Sequence, residues 1–354
     1  MSFFYSLDKT DPVQRRIAQR LLALGGRLDA EIPAKTLDST LLLATWNIRE
    51  FDSPAYGLRG MEPYHYIAEI ISRFDLVALQ EVRLDTAPLE TLRSLLGPWW
   101  KYLVTDVTDG TRGNKERMAF LYDSRKVRFG GLAGEIVIPP VETRDEAGRL
   151  AYSPASQLAR TPYVVGFEAG WFKFMLSTVH ILYGESRADD PDREREIREL
   201  ARFMAARAKE DHAWARNLIL LGDFNIFAPD DVTFSALTDA GFVIPEGLQQ
   251  VTNVGREERF FDQMAFMTPN LTRDQIIAAG AFNFYECVYC EDDEALYVPD
   301  MGEAYHTTSR GEPRGNKSLY YRTYWRTHQM SDHLPLWAAI KVDFGREYLA
   351  SRTV

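Results

Sequence analysis

Short apolar runs that end in a polar residue recur along the chain, and they restrict the possible folds more than any other feature. The runs are LLLATWN, which ends at Asn47, DLVALQE at Glu81, FMLSTVH at His180, and LILLGDFN at Asp223 and Asn225. A further run, SDHLPLWAAIKV, begins with Asp332 and His333 and then becomes apolar. Runs of aliphatic and β-branched residues predict buried strands, so functional groups are expected at strand ends.

Helix-like stretches separate these runs. MEPYHYIAEIISRF (61–74) repeats apolar residues at helical intervals, and PDREREIRELARFMAARAKE (191–210) predicts a charged amphipathic helix. ERMAFLYD, RTPYVVGFEA and FFDQMAFM alternate as half-exposed antiparallel strands do. Strands that alternate with helices predict an α/β class. No repeat or flexible linker divides the chain, so a single domain over 1–354 is expected.

Two parts of the chain are expected to lie outside that core. Apolar residues at helical spacing, beginning at Val13 and Ile17, predict an amphipathic helix in an N-terminal extension, 1–38. Arginines interrupt any signal-peptide core there, which favours a cytoplasmic location, and no run reaches the length of a membrane span. Residues 287–327 are expected to form an insertion-like loop region with an acidic half and a basic aromatic half. The acidic half is a candidate for structural Ca²⁺, although it lacks EF-hand spacing.

Charge and cysteine content narrow the function only slightly. A net charge of −10 does not indicate a protein that coats nucleic acid through its overall field. It does not exclude an enzyme, because bound divalent cations supply positive charge locally. Cys287 and Cys290 form a single C-x-x-C, so structural zinc is not expected, and a reduced pair or a small-loop disulfide remain the alternatives.

Asp223 and Asn225 are suited to a single task. Two residues apart in an extended chain, their side chains face the same way. A carboxylate can hold or deprotonate water, while an amide donates to an anionic oxygen. Glu81 fits a hard-cation ligand. The alternatives are an Asx-turn after Gly222 and, for His180 alone, a hydrogen-bonded structural histidine.

Together, the motifs resemble the endonuclease/exonuclease/phosphatase superfamily of divalent-metal phosphoesterases. The matching segments are TWNI (45–48), LQEV (79–82), STVH (177–180), LLGDFN (220–225) and SDHLPL (331–336). They span residues 41 to 343, nearly the whole chain. The resemblance implies an α/β four-layer sandwich, in which two packed mixed or antiparallel β-sheets are flanked by helices and carry the site at one rim.

The resemblance also implies how metal and substrate are held. Glu81 would be the principal Mg²⁺ ligand, with Asn47 and Asp332 close to the metal and Mn²⁺ as a substitute. Asp223 would position the attacking water, and Asn225 would bind the scissile phosphate.

Two histidine–carboxylate pairs follow from the same resemblance. His333 would act at the phosphate, oriented by Asp262 in FFDQMAF. NKERMAFLYDSRKV (114–127) is similar to the segment in which nucleases of the deoxyribonuclease-I type place a glutamate behind their first catalytic histidine, so Glu116 would pair with His180. RTPYVVGF resembles a segment whose arginine contacts phosphate, which indicates Arg160. A carboxylate behind a histidine fixes its tautomer and raises its pKa.

The leading hypothesis is therefore a Mg²⁺-dependent, deoxyribonuclease-I-like endonuclease that hydrolyses DNA by inline attack of water and leaves 5′-phosphate ends. RNA is not excluded, no protein partner is implied, and His180 or Asp223 could protonate the leaving oxygen. Arg322, Tyr324, Trp325 and Arg326 could contact phosphates and stack on bases, a strand edge with solvated arginines being the alternative. The runner-up is a small-molecule or lipid phosphoesterase of inositol-phosphate or sphingomyelin type. An inactive binding module is disfavoured by the intact catalytic set.

Overall fold

The computed structural model describes residues 4, 7–51, 53, 56–109, 113–144, 148–153, 155–249, 254, 259–268 and 275–353. The strands are β1 (Thr40–Phe51), β2 (Leu76–Val82), β3 (Trp100–Val104), β4 (Arg117–Asp123), β5 (Arg128–Glu135), β6 (Val141–Arg144), β7 (Leu150–Ser153), β8 (Tyr163–Ala169), β9 (Phe172–His180), β10 (Asn217–Asp223), β11 (Asp262–Met267), β12 (Ile276–Ala281) and β13 (Leu336–Lys341). The α-helices are α1 (Pro12–Glu31), α2 (Met61–Ser72), α3 (Ala87–Leu96), α4 (Pro191–Lys209), α5 (Val232–Thr238), α6 (Glu246–Gln249), α7 (Glu294–Met301), α8 (Glu303–His306), α9 (Lys317–Tyr320), α10 (Arg326–Gln329) and α11 (Gly345–Ala350).

Two β-sheets and flanking helices form the fold, which confirms the predicted α/β class and sandwich of sheets. One sheet has six strands in the order β12-β13-β1-β2-β4-β3, and the other has five in the order β11-β10-β9-β8-β5. Strands β6 and β7 form a separate two-stranded antiparallel sheet. No helix in the described part of the chain is long and apolar enough to cross a membrane.

Strand alternation divides the apolar residues of β1 between two layers. Leu41 and Leu43 belong to the core that lies between the sheets, while Leu42 and Ala44 face the layer that contains α1 and α2. This follows from the period of two along a strand. Burying each leucine contributes about 1.5–3 kcal/mol relative to leaving it exposed. The continuous apolar run of β1 is therefore explained by a strand covered on both faces.

The register of the six-stranded sheet brings three functional segments to one edge. β1 and β2 are parallel, with Asn47 opposite Gln80. β13 is antiparallel to β1, with Thr45 opposite Leu336. The carboxyl ends of β1 and β2 and the start of β13 therefore lie together.

The five-stranded sheet aligns three predicted catalytic residues. β9 and β10 are parallel, with His180 level with Asp223. β11 runs antiparallel to β10, with Asp262 level with Asp223. His180, Asp223 and Asp262 thus occupy neighbouring strands at one level, at the edge that faces the ends of β1 and β2.

The predicted N-terminal helix is confirmed as α1. Asp11 caps it by accepting from the backbone N–H of Val13 at 2.8 Å, and Pro12 occupies the first turn. Ile17 and three leucines one or two turns apart are buried, whereas Val13, expected on the apolar face, is 45% exposed. Arg16 pairs with Glu62 of α2 and so ties the extension to the domain.

The prediction of a loop region over 287–327 is wrong, because this region is largely helical. It contains α7, α8, α9, a 3₁₀ turn at Glu291–Asp293, a π-helical turn at Tyr321–Trp325 and the start of α10. Tyr289, Tyr297 and Tyr321 are buried and join the apolar layer beside α1 and α2. Burial of aromatic rings supplies stability that short helices lack by themselves. The two cysteines are free thiols in the described structure.

Candidate active site

Two histidine–carboxylate pairs face one carboxylate oxygen at the edge shared by the sheets. His180 Nδ1 lies 2.7 Å from Glu116 Oε2, and His180 Nε2 lies 3.6 Å from Asp223 Oδ2. His333 Nδ1 lies 2.7 Å from Asp262 Oδ2, and His333 Nε2 lies 3.8 Å from the same Asp223 oxygen. The structure therefore brings together all five residues that the sequence predicted to be catalytic.

The position of His333 depends on the segment that precedes β13. Trp46 Nε1 donates to the carbonyl of His333 at 2.9 Å, and the His333 N–H donates to Ser331 Oγ at 3.1 Å. Ser331 Oγ in turn donates to the carbonyl of Asn47 at 2.6 Å. These contacts fix the short segment against β1, so His333 is held by buried hydrogen bonds instead of a free loop.

Asn47 links the two sheets at the centre of the site. Its Nδ2 donates to Glu81 Oε1 and to Asp223 Oδ2, both at 3.0 Å. Its Oδ1 is buried and has no hydrogen-bond partner among the described residues. An unpaired buried oxygen is costly, and amide and carboxylate oxygens such as those of Asn47 and Glu81 are of the kind that Mg²⁺ accepts. The residues present therefore fit a magnesium ion.

Asp332, the third residue expected near the metal, lies towards solvent. Its Oδ2 is 3.7 Å from Arg49 Nη1, and its charge raises the pKa of Glu81 in addition to the effects of burial and Glu116. In the described part of the chain, no three His, Cys, Asp or Glu side chains are grouped to hold a metal. The predicted set has two carboxylates and an amide, so it is not a group of that kind and stays a prediction.

Backbone conformation at the site is unusual. Glu81 has φ +60° and Asn225 has φ +53°, in the left-handed region that side chains seldom adopt. Glu81 Oε2 accepts from the Glu50 N–H at 2.7 Å. Such strained positions persist where surrounding contacts over-determine them, and they cluster at functional sites.

The Asx-turn considered as an alternative for Asp223 and Asn225 is present. The Asn225 N–H donates to Asp223 Oδ1 at 2.9 Å. Because the turn uses Oδ1, Asp223 Oδ2 remains directed at the histidines. Asp223 can therefore form the Asx-turn and also take part in catalysis. Asn225 Nδ2 donates one hydrogen bond, to the carbonyl of Ile181 at 2.8 Å, and an amide nitrogen has two N–H groups. The second N–H is therefore the group available for the predicted contact between Asn225 and phosphate.

Arg160, predicted to contact phosphate, is placed on Glu116. Its Nε lies 3.1 Å from Glu116 Oε2, the oxygen that also contacts His180. Its Nη1 lies 3.5 Å from the carbonyl of Ile181. In this structure the Arg160 guanidinium therefore contacts the carboxylate of the first histidine–carboxylate pair.

In the first pair, Glu116 and His180 each favour the charged form of the other. Burial opposes ionisation of Glu116, but His180 and Arg160 outweigh it and lower the pKa of Glu116 to about 2. Burial alone would lower the pKa of His180, yet the Glu116 carboxylate raises it above the ordinary value. Glu116 is therefore ionised at neutral pH, and it favours an imidazolium at His180.

In the second pair the pKa of the histidine shifts as in the first pair, whereas the pKa of the carboxylate shifts the opposite way. Burial lowers the pKa of His333, but Asp262 and Asp223 raise it well above the ordinary value. Burial raises the pKa of Asp262 to about 6, against the opposing effect of His333. The surroundings of both histidines thus favour positive charge on either side of the Asp223 carboxylate, an arrangement suited to an anionic substrate.

Sequence reasoning missed the polar bridge under the site. Gln80 Nε2 donates to Thr178 Oγ1 at 2.7 Å and to Thr45 Oγ1 at 3.1 Å, and these residues belong to different sheets. Satisfied polar networks of this kind rigidify a core. The available signal was Gln80 itself, a polar residue at a buried position of LQEV.

The basic aromatic stretch is helical, which overturns the strand edge considered for it. Arg326 is buried and its Nη1 donates to the carbonyl of Tyr289 at 3.1 Å, so it does not reach a substrate surface. Tyr324, by contrast, is 41% exposed. The predicted DNA-contacting group therefore divides into structural and exposed members.

Comparison with known proteins identifies relatives of this chain. A model described as "Endonuclease/Exonuclease/phosphatase family" matches residues 44–333. A protein named Deoxyribonuclease from Thioalkalivibrio sp. (strain K90mix) is 27% identical over 310 residues, which cover 86% of this chain and 72% of that protein.

Solved structures share the fold at low identity. An endonuclease/exonuclease/phosphatase family protein from Bacteroides thetaiotaomicron superposes with a TM-score of 0.52 at 15% identity, covering 86% of this chain and 98% of that one. Humanized D. rerio TDP2 gives 0.51 at 14% identity, with 85% and 98% covered. The mannosyl-6-phosphatase of Bacteroides thetaiotaomicron VPI-5482 gives 0.50 at 16% identity, with 84% and 98% covered. The names of these neighbours differ, so the shared fold does not select a substrate.

Proposed function

The chain belongs to the endonuclease/exonuclease/phosphatase family, and we propose that it is a Mg²⁺-dependent endonuclease of the deoxyribonuclease-I type. It hydrolyses DNA phosphodiester bonds by inline attack of water and leaves 5′-phosphate ends. The observation that carries the proposal is the approach of both His180 and His333 to Asp223 Oδ2, at 3.6 and 3.8 Å. The name of the 27% identical relative, Deoxyribonuclease, supports DNA as the substrate.

Glu81 and Asn47 are the proposed metal-binding residues, with Asp332 nearby. Bound there, Mg²⁺ would supply positive charge that offsets the charge of the phosphodiester. The unpartnered Oδ1 of Asn47 is the atom that supports this assignment. Because Asn47 Nδ2 also donates to Asp223 Oδ2, the amide would set the position of the metal relative to the attacking water.

The remaining residues supply proton transfer and phosphate binding. Asp223 Oδ2 accepts a proton from the attacking water. His333 and the second N–H of Asn225 donate to phosphate oxygens, while His180 protonates the leaving 3′-oxygen. Acid–base groups of this kind typically contribute about 10²–10⁴-fold each. Positive and neutral donors around one carboxylate thus match a reaction in which negative charge increases on phosphate.

Incubation of supercoiled plasmid with the protein and Mg²⁺ should produce nicked circles. Excess EDTA should abolish nicking, and His333→Ala should reduce it by about 10²–10⁴-fold. DNA ligase should reseal the nicks without prior phosphorylation, because it requires a 5′-phosphate beside a 3′-hydroxyl. Hydrolysis of bis-p-nitrophenyl phosphate with no cutting of plasmid would reject the nuclease and indicate the small-ester phosphoesterase instead.

The pH dependence of cleavage should report the proton donor. Glu116→Gln removes the carboxylate that raises the pKa of His180, so the pKa of this histidine falls. An acid must be protonated to act, and the alkaline limb of the kcat profile should therefore move to lower pH. Asp262→Asn is the matched control for His333. If the limb moves in that variant and not in Glu116→Gln, the assignment of His180 as the proton donor is wrong.

A further inference from the structure

A cavity of 540 Å³ lies between the start of α2, the N-terminal part of α1 and the helices over 317–329. Its lining includes Tyr56, Tyr324, Trp325, His328 and Arg16. None of the residues proposed for catalysis lines it. The cavity therefore needs an explanation of its own.

Stacked rings form one wall of this cavity. Tyr56 stacks on His328 with ring centroids 4.3 Å apart and an angle of 19°. His328 lies 4.5 Å from Tyr324, which stacks on Tyr320 at 5.5 Å and 23°. We call Tyr56, His328, Tyr324 and Tyr320 the aromatic row. Tyr56 and Tyr324 are 43% and 41% exposed, so ring surface remains open to a ligand.

His328 carries an unused hydrogen-bond acceptor in this wall. The side chain is only 6% exposed, and its Nδ1 lies 2.7 Å from the carbonyl of Tyr324. Nδ1 must therefore carry the proton and donate, which makes Nε2 an acceptor. Burial lowers the pKa of His328 to about 4, so the ring is neutral near pH 7. Nε2 is buried and has no partner in the described part of the chain, and such an atom indicates a missing N–H donor.

The helices that carry Tyr320, Tyr324 and His328 are attached to the active-site rim. Arg49, two residues after Asn47, donates through Nη1 to Thr327 Oγ1 at 2.6 Å. The same Nη1 lies 3.7 Å from Asp332 Oδ2. Arg59 fixes the other end, because it donates to the carbonyls of Arg49 at 2.6 Å and Gln329 at 2.9 Å. The cavity is therefore in a fixed position relative to the proposed metal-binding residues.

We propose that this cavity receives an unpaired nucleobase of the strand being cut, which stacks on the aromatic row and donates an N–H to His328 Nε2. The proposal rests on the proposed nuclease function and adds a substrate class, single-stranded or locally unpaired DNA. The chemistry favours a base over other ligands because a base combines a planar π-face with a polar edge. Every base has an N–H donor, in an exocyclic amine or a ring N–H, so the site would tolerate any sequence. A base within an intact duplex cannot present both its face and its edge.

Binding without cleavage tests this proposal. In EDTA, fluorescence anisotropy would compare a labelled single-stranded oligodeoxyadenylate with a strand of equal length made of abasic tetrahydrofuran residues. Wild type should bind the base-bearing strand more tightly. Tyr324→Ala should weaken that binding by about 5- to 100-fold and so remove most of the preference over the abasic strand. His328→Leu, which replaces the imidazole with an apolar side chain of similar size, should also weaken binding of the base-bearing strand.

The controls separate stacking from general effects. Tyr324 is exposed, so its truncation should leave the unfolding temperature near that of wild type. Tyr348→Ala is the matched control, since this tyrosine is 47% exposed on α11, away from the cavity. It should bind both strands as wild type does.

Two results would overturn base binding: Tyr324→Ala that binds oligodeoxyadenylate like wild type, or adenosine monophosphate that binds as tightly as the strand. Plasmid nicking is scored independently. Nicking by a wild-type protein that does not distinguish the two strands rejects the base site alone. Strand discrimination that depends on Tyr324, without nicking of any polymer, rejects the nuclease and leaves the base site in place.

Discussion

Asp223→Asn should lower kcat for DNA cleavage by about 10²–10⁴-fold while the protein remains folded. Asp223 Oδ2 accepts from Asn47 and lies within 4 Å of both catalytic histidines. An amide cannot take a proton from water, and its Nδ2 would point a donor at the donor of Asn47. The fold should survive because the shape is unchanged and the remaining oxygen still accepts from the Asn225 N–H. Single-turnover cleavage of labelled DNA and thermal unfolding measure the two effects.

A matched control distinguishes loss of chemistry from loss of a buried charge. Asp75 is as buried as Asp223, but it directly precedes β2, at the end of that strand opposite to Glu81. There it pairs with Lys126 at 3.0 Å. Asp75→Asn should therefore cost stability and leave kcat close to wild type. Combining Asp223→Asn with His333→Ala should reduce kcat little further than the more severe single change, because groups that act as a unit are not additive. Losses that multiply would show that the two residues act in separate steps.

The functional residues at the strand ends could be predicted because buried strand residues are apolar, whereas residues that perform chemistry are polar. A strand covered on both faces must be apolar, so a carboxylate or amide at its end stands out, as Glu81 and Asp223 do. The alignment of His180, Asp223 and Asp262 was not contained in any one segment. It results from pairing between strands that are distant in the chain, which local patterns do not encode. The histidine–carboxylate pairs were accessible only through resemblance.

The errors have physical causes as well. The region 287–327 lacks helical periodicity, and its short helices depend on burying Tyr289, Tyr297 and Tyr321 against the rest of the protein. Tertiary burial overrides weak local propensity, so composition alone suggested a loop. Arg160 illustrates a second limit. A guanidinium suits a phosphate or a carboxylate equally, so the contact with Glu116 could not be foreseen from the sequence, and the phosphate contact of Arg160 stays a prediction.

Gly222→Ala should reduce the free energy of unfolding by about 3 kcal/mol or more. Gly222 adopts φ +128°, and a Cβ there would lie 2.2 Å from the carbonyl oxygen of Val179 on the neighbouring strand. Neither backbone can move away without breaking the β9–β10 pairing. Urea denaturation would measure the loss as a lower midpoint at unchanged slope. The matched control is Gly26→Ala in α1, where a Cβ meets nothing within 4 Å. That change should stabilise the protein by about 0.5–1 kcal/mol.

Gly222→Ala should also lower the rate of DNA cleavage at temperatures where the variant remains folded. Gly222 directly precedes Asp223, and Val179 directly precedes His180, so the clash falls one position before the pair whose Nε2–Oδ2 separation is 3.6 Å. Displacing either strand changes that separation, and small misplacements of catalytic groups can cost about 10²-fold in rate. A Gly222→Ala protein with stability within 1 kcal/mol of wild type would show that the strands can separate freely here. The glycine between the buried strand and its catalytic acid would then have no role in close packing, whereas the expected loss identifies it as the residue that lets the two strands approach.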